Sequence, residues 1–519
     1  MAEQDSRPSL PAVPSGGTDH APRLTAVIVG AGMSGLLAAI RLKQEGIESF
    51  VVLERGDDVG GTWLYNQYPG ASCDVPSHLY SYSFRPKPDW SRMFAMQPEI
   101  LEYFRDTAKA EGLYPHIAFR TEVAGAAFDE REGRWRVAAK DGREWDARFL
   151  FIATGQLNEP AIPDIPGRRD FAGIQFHSAR WNAATDLTGK NVVAIGTGAS
   201  AAQYVPPVAE QAKQLTVIQR SPNWMIPRPD FEFPDWAKTA MRYAPPLRRL
   251  LRAFIYFSNE LNFRAMRNPG GWIARGLERK ARKQLEEEIP DRELRAKLTP
   301  DYPVGCKRLL VISDYYPALR RENVELVTDS VSRIHQTGIE LESGRRIPAE
   351  VLIWGTGFDT KSFVLPIEIT GLGGRRLSDD WAKGAEGYKG TLVSGYPNMA
   401  VLYGPNTNLG HSSIIFMAER QMDYVMKLVR AVLGKDLRYL DVRPEVQRRW
   451  NADLQRRLGK TVWAGPCESW YKHDGKIINN WSSTTIRFAL ETRTLDERNF
   501  DAGTHLLPGA EPLKLEPTA

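Results

Sequence analysis

Short unbroken apolar runs, each closed by glycine, recur along the chain. Ala26 to Val29 is the first. After its glycines, Leu36, Leu37, Ile40 and Leu42 continue at helical spacing until Gly46 stops the helix, and SFVVLE (Ser49 to Glu54) follows as a second apolar run. Runs of this length and uniformity mark strands covered on both faces, as in parallel sheets. The succession returns in NVVAIGTGASAAQ (Asn191 to Gln203) and LTVIQ (Leu215 to Gln219). FLFIATG (Phe149 to Gly155) and VLIWGTGFD (Val351 to Asp359) are two more runs ending in small-residue turns. The pattern predicts an α/β fold with two doubly wound, Rossmann-like units.

Between residues 231 and 300 the alternation stops. Leu247, Leu250, Leu251, Phe254, Ile255 and Leu261 recur at helical spacing with Arg248, Arg249 and Arg252 among them, and Ala274 to Ile289 reads as a charged helix. Two readings stay open for this helical insertion: a cap that shapes a substrate cavity, or a basic amphipathic patch for a membrane surface. From about Ala385 apolar runs resume, with GPNTN (Gly404 to Asn408) and a helix over Ser412 to Leu433. The expected organisation is a disordered tail (1–22), a first dinucleotide domain in two parts (23–158 and 385–519), and a second inserted between them (159–384).

With 519 residues, more than one domain is the natural expectation. A net charge of +5 over this length is mild, so no nucleic-acid partner is expected. Met1 to Pro22 lacks a basic start followed by an apolar run, and no apolar run approaches the ~18 residues of a membrane span. Cys73, Cys306 and Cys467 are few and odd in number, which argues against a disulfide framework and for a reducing compartment; the cytoplasm is the expected location. None forms a CxxC pair, which argues against a zinc site and a flavin–disulfide reductase.

The first glycine turn holds Gly30, Gly32 and Gly35 in G-x-G-x-x-G spacing, with a strand before and a helix after. Gly30 suits the tight turn, Gly32 lets backbone approach a pyrophosphate, and Gly35 lets helix pack on strand, with the helix N-terminus facing the phosphates. In the second turn Gly196 and Gly198 match and Ala201 replaces the third glycine. Glu54 lies 24 residues after Gly30, and Arg220 lies 24 residues after Gly196. A carboxylate suits a free ribose and repels a 2′-phosphate, whereas a guanidinium pairs with one, and Ser221 can add a hydroxyl. The second site therefore reads as NADPH and the first as FAD, a pairing made for electron transfer between cofactors.

GGTWLYNQYPGASCD (Gly60 to Asp74) and FAGIQFHSARW, which holds Phe171, Gly173, His177 and Trp181, resemble the markers of class B flavoprotein monooxygenases, and within them of the Baeyer–Villiger monooxygenases. The first matches through Gly60, Gly61, Trp63, Tyr68, Pro69, Gly70 and Asp74. Asn182 departs from the Pro or Asp usual after the tryptophan. DVPSHLYSYSF (Asp74 to Phe84) is most similar to the branch acting on aryl ketones. Relatives that oxygenate nitrogen and sulfur usually lack a tryptophan at 181.

The resemblance implies NADPH- and O2-dependent conversion of a ketone to an ester or lactone through a C4a-peroxyflavin; N- or S-oxygenation is the alternative, and a non-catalytic two-nucleotide scaffold a further one. It places Arg308 over the flavin, oriented by Asp74, though spacing alone would leave Arg308 a surface arginine. It gives FAD to Gly30, Gly32, Ser34, Gly35, Glu54, Thr62, Trp63, Leu64, Asp74, Tyr80 and Val123. It gives NADP to Gly196, Thr197, Gly198, Ser200, Arg220, Ser221, Lys307, Arg308 and Trp470. The segment Phe171 to Trp181 would link the domains, with His177 in a conformational role, and Cys73 and Cys306 would be bystanders. The partners implied are a small ketone and O2. Arg220→Ala should weaken NADPH roughly ten- to a hundredfold with little change for NADH; titration of both nucleotides checks this, and equal losses would remove the 2′-phosphate role.

Overall fold

The computed structural model describes residues 21–360, 363–364, 366–467 and 469–503. The expected tail lies outside these residues except for Ala21 and Pro22, and so does the end of the C-terminal part from 504.

Among the described residues the first sheet has eight strands. Its centre is Arg23–Val29, parallel to Phe50–Leu53 on one side and to Glu144–Ile152 on the other; Val27 lies opposite Val51 and Leu150. Ala26, Val27 and Ile28 are fully buried because helices cover one face and side chains of the antiparallel strands, with Ile369, Leu377 and Trp381, cover the other, which is why this strand tolerates no polar alternation. The Met33–Gln44 helix covers one face, and the late Ile414–Gly434 helix packs beside it in the same core. An antiparallel meander, Val123–Asp129, Arg134–Ala139 and Glu144–Ile152, extends the sheet. The second sheet is wholly parallel, in the order Val324–Val327, Gln214–Ile218, Asn191–Ile195, Val351–Trp354 and Ile174–His177.

The fold is the expected one, two doubly wound units with a helical insertion, and the insertion is four helices: Asp235–Tyr243, Pro245–Arg267, Trp272–Glu288 and Arg292–Leu298. Two expectations are corrected. The chain re-enters the first sheet well before residue 385, because Glu368–Thr370 pairs with Val123–Asp129; three residues are too short a run to read as a strand. Cys306, expected as a bystander, is joined to Cys467 as a disulfide with Cα atoms 6.4 Å apart, and Cys73 is free and buried. A separation of 161 residues hides such a pair in the sequence.

The chain crosses between the two units twice, and the crossings lie side by side. The Ala161 N–H donates to the Gly357 carbonyl, the Asp359 N–H to the Glu159 carbonyl (both 2.9 Å), and the Thr356 hydroxyl to the Ala161 carbonyl (2.6 Å).

The glycine turns repeat in three dimensions. Gly30 has φ 102° and Gly196 φ 105°. A Cβ on Gly30 would lie 2.7 Å from the Ala153 carbonyl oxygen, and one on Gly196 2.4 Å from that of Gly355. Each turn is thus pressed against the end of the neighbouring parallel strand. The YPG loop closes the seam between units. Gly70 has φ 81°, and a Cβ there would meet the Gln203 carbonyl oxygen at 2.4 Å on the helix of the other unit. Gly70→Ala should therefore cost on the order of 1–3 kcal/mol, visible as a lower thermal midpoint; an unchanged midpoint would mean that the seam yields.

Candidate active site

The first glycine turn opens onto a cleft of about 1200 Å³, its mouth included, which Gly30, Gly32, Glu54, Trp63, Tyr80 and Val123 help to line. Ser34 and Thr62 also face it. Backbone bareness makes the floor: a Cβ on Gly61 would come 2.9 Å from the Cα of Gly32. Two strands of backbone with nothing above them are what a pyrophosphate needs. Gly35 faces away; its Cβ would lie 1.8 Å from the Gly30 carbonyl oxygen, so it fixes the helix against the turn. Leu64, expected to line the flavin, is buried in the core beside the cleft. Trp63 donates its indole N–H to the Tyr80 hydroxyl at 3.1 Å, with the rings edge to face.

Glu54 is buried. One of its oxygens accepts the Ala31 N–H and the other the Gly56 N–H, both at 2.7 Å. The carboxylate braces the turn, and the lone pairs left over face the cleft where a ribose would lie.

In the second unit, Gly198 precedes the Ala199–Gln211 helix, and nothing lies within 4 Å of where its Cβ would be. That open space sits at a helix N-terminus, with Ser200 in the first turn. Arg220 is exposed at the end of the Gln214–Ile218 strand and makes no ion pair among the described residues. The Lys307 ammonium donates to the Ser221 hydroxyl at 2.8 Å, and Thr197 is bonded to the Ser221 carbonyl and to Asn223. Two cations and a hydroxyl converging on one strand end fit the 2′-phosphate of NADP. The bare floor of the first cleft fits FAD.

Between the two sites stands Arg308. Its Nε donates to Asp74 Oδ2 at 3.0 Å, and its Nη2 lies 2.7 Å from both carboxylate oxygens. The charge of Asp74 raises the guanidinium further above its usual range. Of the arginine side chain, 39 % remains reachable by solvent. Sequence reading missed its two aromatic neighbours. Tyr471 is pushed up to about 12 by burial, and it stands in the field of Arg308 and Asp74. Trp470 packs on Tyr471 and its carbonyl accepts from Thr360. Tyr403 lines the first cleft in a left-handed conformation, φ 57°, held by the Gln421 side chain on its N–H and by Asn408 on its hydroxyl. Strain fixed from two sides marks it as a site residue; its place at the end of the run MAVLY was the available signal.

The Phe171 to Trp181 segment supplies the edge strand Ile174–His177 and then the wall of the first cleft, through Ala179 and Arg180. Phe171 is core, and Gly173 is glycine because a Cβ would meet the Glu350 carbonyl oxygen at 2.3 Å and the Phe171 ring at 2.6 Å. His177 accepts the Ala179 N–H at Nδ1, so its Nε2 carries the proton; that nitrogen is buried without a hydrogen-bond partner, near the Gly357 carbonyl of the crossing. Burial lowers His177 to about 4. Trp181 packs on Phe176 and Tyr204, and Tyr204 meets Tyr68 of the YPG loop edge to face. This aromatic relay joins the two markers across the seam.

Two bare-backbone nucleotide sites converging on one arginine–carboxylate pair define a flavoprotein of the pyridine-nucleotide-dependent kind. Comparison with known proteins narrows the class. A family model described as flavin-binding monooxygenase-like matches residues 23–300. A Baeyer–Villiger monooxygenase of Streptomyces coelicolor is 41 % identical over 476 residues, covering 90 % of this chain and 91 % of that one. One of Pseudomonas aeruginosa is 39 % identical over 475 residues, covering 90 % and 89 %. Among solved structures, OTEMO in complex with FAD and NADP superposes with a TM-score of 0.85 at 27 % identity, over 93 % of this chain and all of that one. Steroid monooxygenase bound to NADP does so at 0.83 and 30 %, over the same shares. The chain belongs to the flavin-binding monooxygenase-like family, and within it to the Baeyer–Villiger monooxygenases.

Because His177 is held below its unfolded value, the folded state binds fewer protons than the unfolded one between about pH 6.5 and 4. Its contribution is present above that window and is lost as pH falls through it. His78, also lowered to about 4 by burial, acts in the same sense. Denaturant midpoints measured across this range should decline toward pH 4, less steeply in His177→Gln; equal slopes would show that His177 is not held neutral.

Proposed function

We propose that the protein inserts one oxygen atom from O2 beside a ketone carbonyl, giving an ester or lactone, at the expense of NADPH. The observation that carries this reading is the Arg308–Asp74 fork standing between the two nucleotide sites. Bound flavin would supply the redox chemistry, taking a hydride from NADPH and activating oxygen. The chain supplies the rest. Arg308 stays charged at any working pH, and its fork with Asp74 fixes the direction of its free N–H groups. Such a preorganised cation favours attack on a carbonyl, because negative charge grows on the carbonyl oxygen as it is attacked. A lysine in the same recess could lose its proton. Gly30, Gly32 and Gly61 would hold the FAD pyrophosphate, with Glu54 at the ribose. Gly198 and Ser200 would hold that of NADP, and Arg220, Ser221 and Lys307 its 2′-phosphate. The walls formed by Trp63, Tyr80 and Tyr403 would keep water from the reacting atoms.

The carbonyl partner is a ketone, with aryl ketones expected from Asp74 to Phe84. We place the protein in the cytoplasm. N- or S-oxygenation needs no arginine at this position, since an amine or sulfide develops no oxyanion.

Purified, flavin-loaded enzyme given NADPH and O2 should convert an aryl or a cyclic ketone to its ester or lactone. Arg308→Ala should lower ester formation by at least about a hundredfold while flavin bleaching by NADPH persists, and Asp74→Asn should fall between. Normal ester yield from Arg308→Ala would refute the mechanism, and turnover of sulfides but no ketone would install the alternative.

A further inference from the structure

The Pro245–Arg267 helix shows its apolar stripe to solvent. Leu247, Leu250, Phe254, Phe257 and Leu261 follow one another at spacings of three and four, so they share one face. The sequence left a cap and a surface patch both open for this helix; of Leu247, Leu250, Leu251, Phe254, Ile255 and Leu261, only Ile255 is buried. Leu250, Phe254 and Phe257 are 68 %, 71 % and 57 % exposed. The stripe runs for roughly 20 Å at 1.5 Å per residue. Trp236 and Tyr243 lie on the helix that precedes it. Trp272 shares a surface hollow with Arg264 and Arg267 at its far end. Apolar patches of this extent on one element mark an interaction surface.

The inner face of the same helix is fully engaged. Arg252 donates to the carbonyls of His78 (2.7 Å) and Ser81 (3.0 Å), in the loop between Asp74 and Phe84. Glu260 accepts both the N–H and the hydroxyl of Thr485 at 2.9 Å. Met266 packs against Gly305, three residues before Arg308. The helix therefore cannot turn its stripe inward without losing its hold on both sides of the active site.

Charge identifies the occupant. The helix carries five arginines and one acid, Glu260, which is buried. Arg249, Arg264 and Arg267 are exposed beside the stripe and make no ion pair among the described residues. A second copy of the chain would set arginines against arginines with no exposed carboxylate on the helix to meet them. Leucine and phenylalanine in the middle, tryptophan and tyrosine toward the ends and arginines along the flank match a helix lying in the interface of an anionic bilayer. We propose that this face docks the enzyme on an anionic lipid surface, setting the active site beside a phase in which apolar ketones concentrate. No helix among the described residues is long and apolar enough to cross a membrane, so the contact is peripheral.

Flotation of the purified, flavin-loaded full chain tests this. It should rise with vesicles of phosphatidylcholine and phosphatidylglycerol in equal parts, far less with phosphatidylcholine alone, and less in high salt. The triple variant L250S/F254S/F257S should bind at least roughly tenfold more weakly while turning over a water-soluble ketone at the normal rate. R249Q/R264Q/R267Q should lose the preference for phosphatidylglycerol. Failure of the wild type to float, or flotation of the serine variant at wild-type strength, would overturn the docking surface. So would a dimer in light scattering that the serine variant turns into monomer without any vesicle binding, which would give the face to a second copy. A preference for phosphatidylglycerol that survives loss of the three arginines would overturn the charge argument.

Discussion

The fork between Arg308 and Asp74 is the contact on which the centre depends. Its partners are 234 residues apart and come from different units. A guanidinium recessed between two nucleotide sites would be costly without a carboxylate, and a carboxylate there without a cation equally so. Each therefore fixes the other, and through them the loop after the YPG turn is registered on the loop that carries Lys307. The same short segment holds the other half of the seam, where Tyr68 donates to Gln203 and Gln203 in turn donates to the Ser72 carbonyl. Chemistry and domain docking are thus specified by neighbouring residues.

How much of this was legible depended on whether a residue acts locally. The glycine turns could be read because Gly30 and Gly196 answer to their own backbone angles, and because a fully buried parallel strand leaves an unbroken apolar run. Glu54 and Arg220 stand at equal offsets from their turns. The rest depended on distant chain. Leu64, matched to a flavin-lining position, is buried in the core beside the cleft. Tyr471, beside Trp470, stands by Arg308, a neighbour that nothing local announces. Cys306 and Cys467 looked unrelated because nothing local joins them. The strand Glu368–Thr370 is too short to show a period, so the return to the first sheet was placed too late.

The insertion shows the limit most plainly. Helical spacing of Leu250, Phe254 and Leu261 correctly gave a helix, but periodicity fixes only which residues share a face. Which face turns inward was decided by Arg252, Glu260 and Met266, whose partners lie far away in sequence. Ile255, Phe263, Ala265 and Met266 bury one apolar side of the helix beside Glu260, and a second apolar stripe is left outside.

The paired crossings between the two units have a mechanical meaning. A single linker would let one unit twist freely about the other. Two backbone segments bonded edge to edge form a flat strap, compliant in flexion normal to its width and stiff in torsion. Relative movement of the units is thereby reduced toward one angle, with His177 seated against the strap at Gly357 and Phe358. A cut in either segment alone would leave the units tethered by the other.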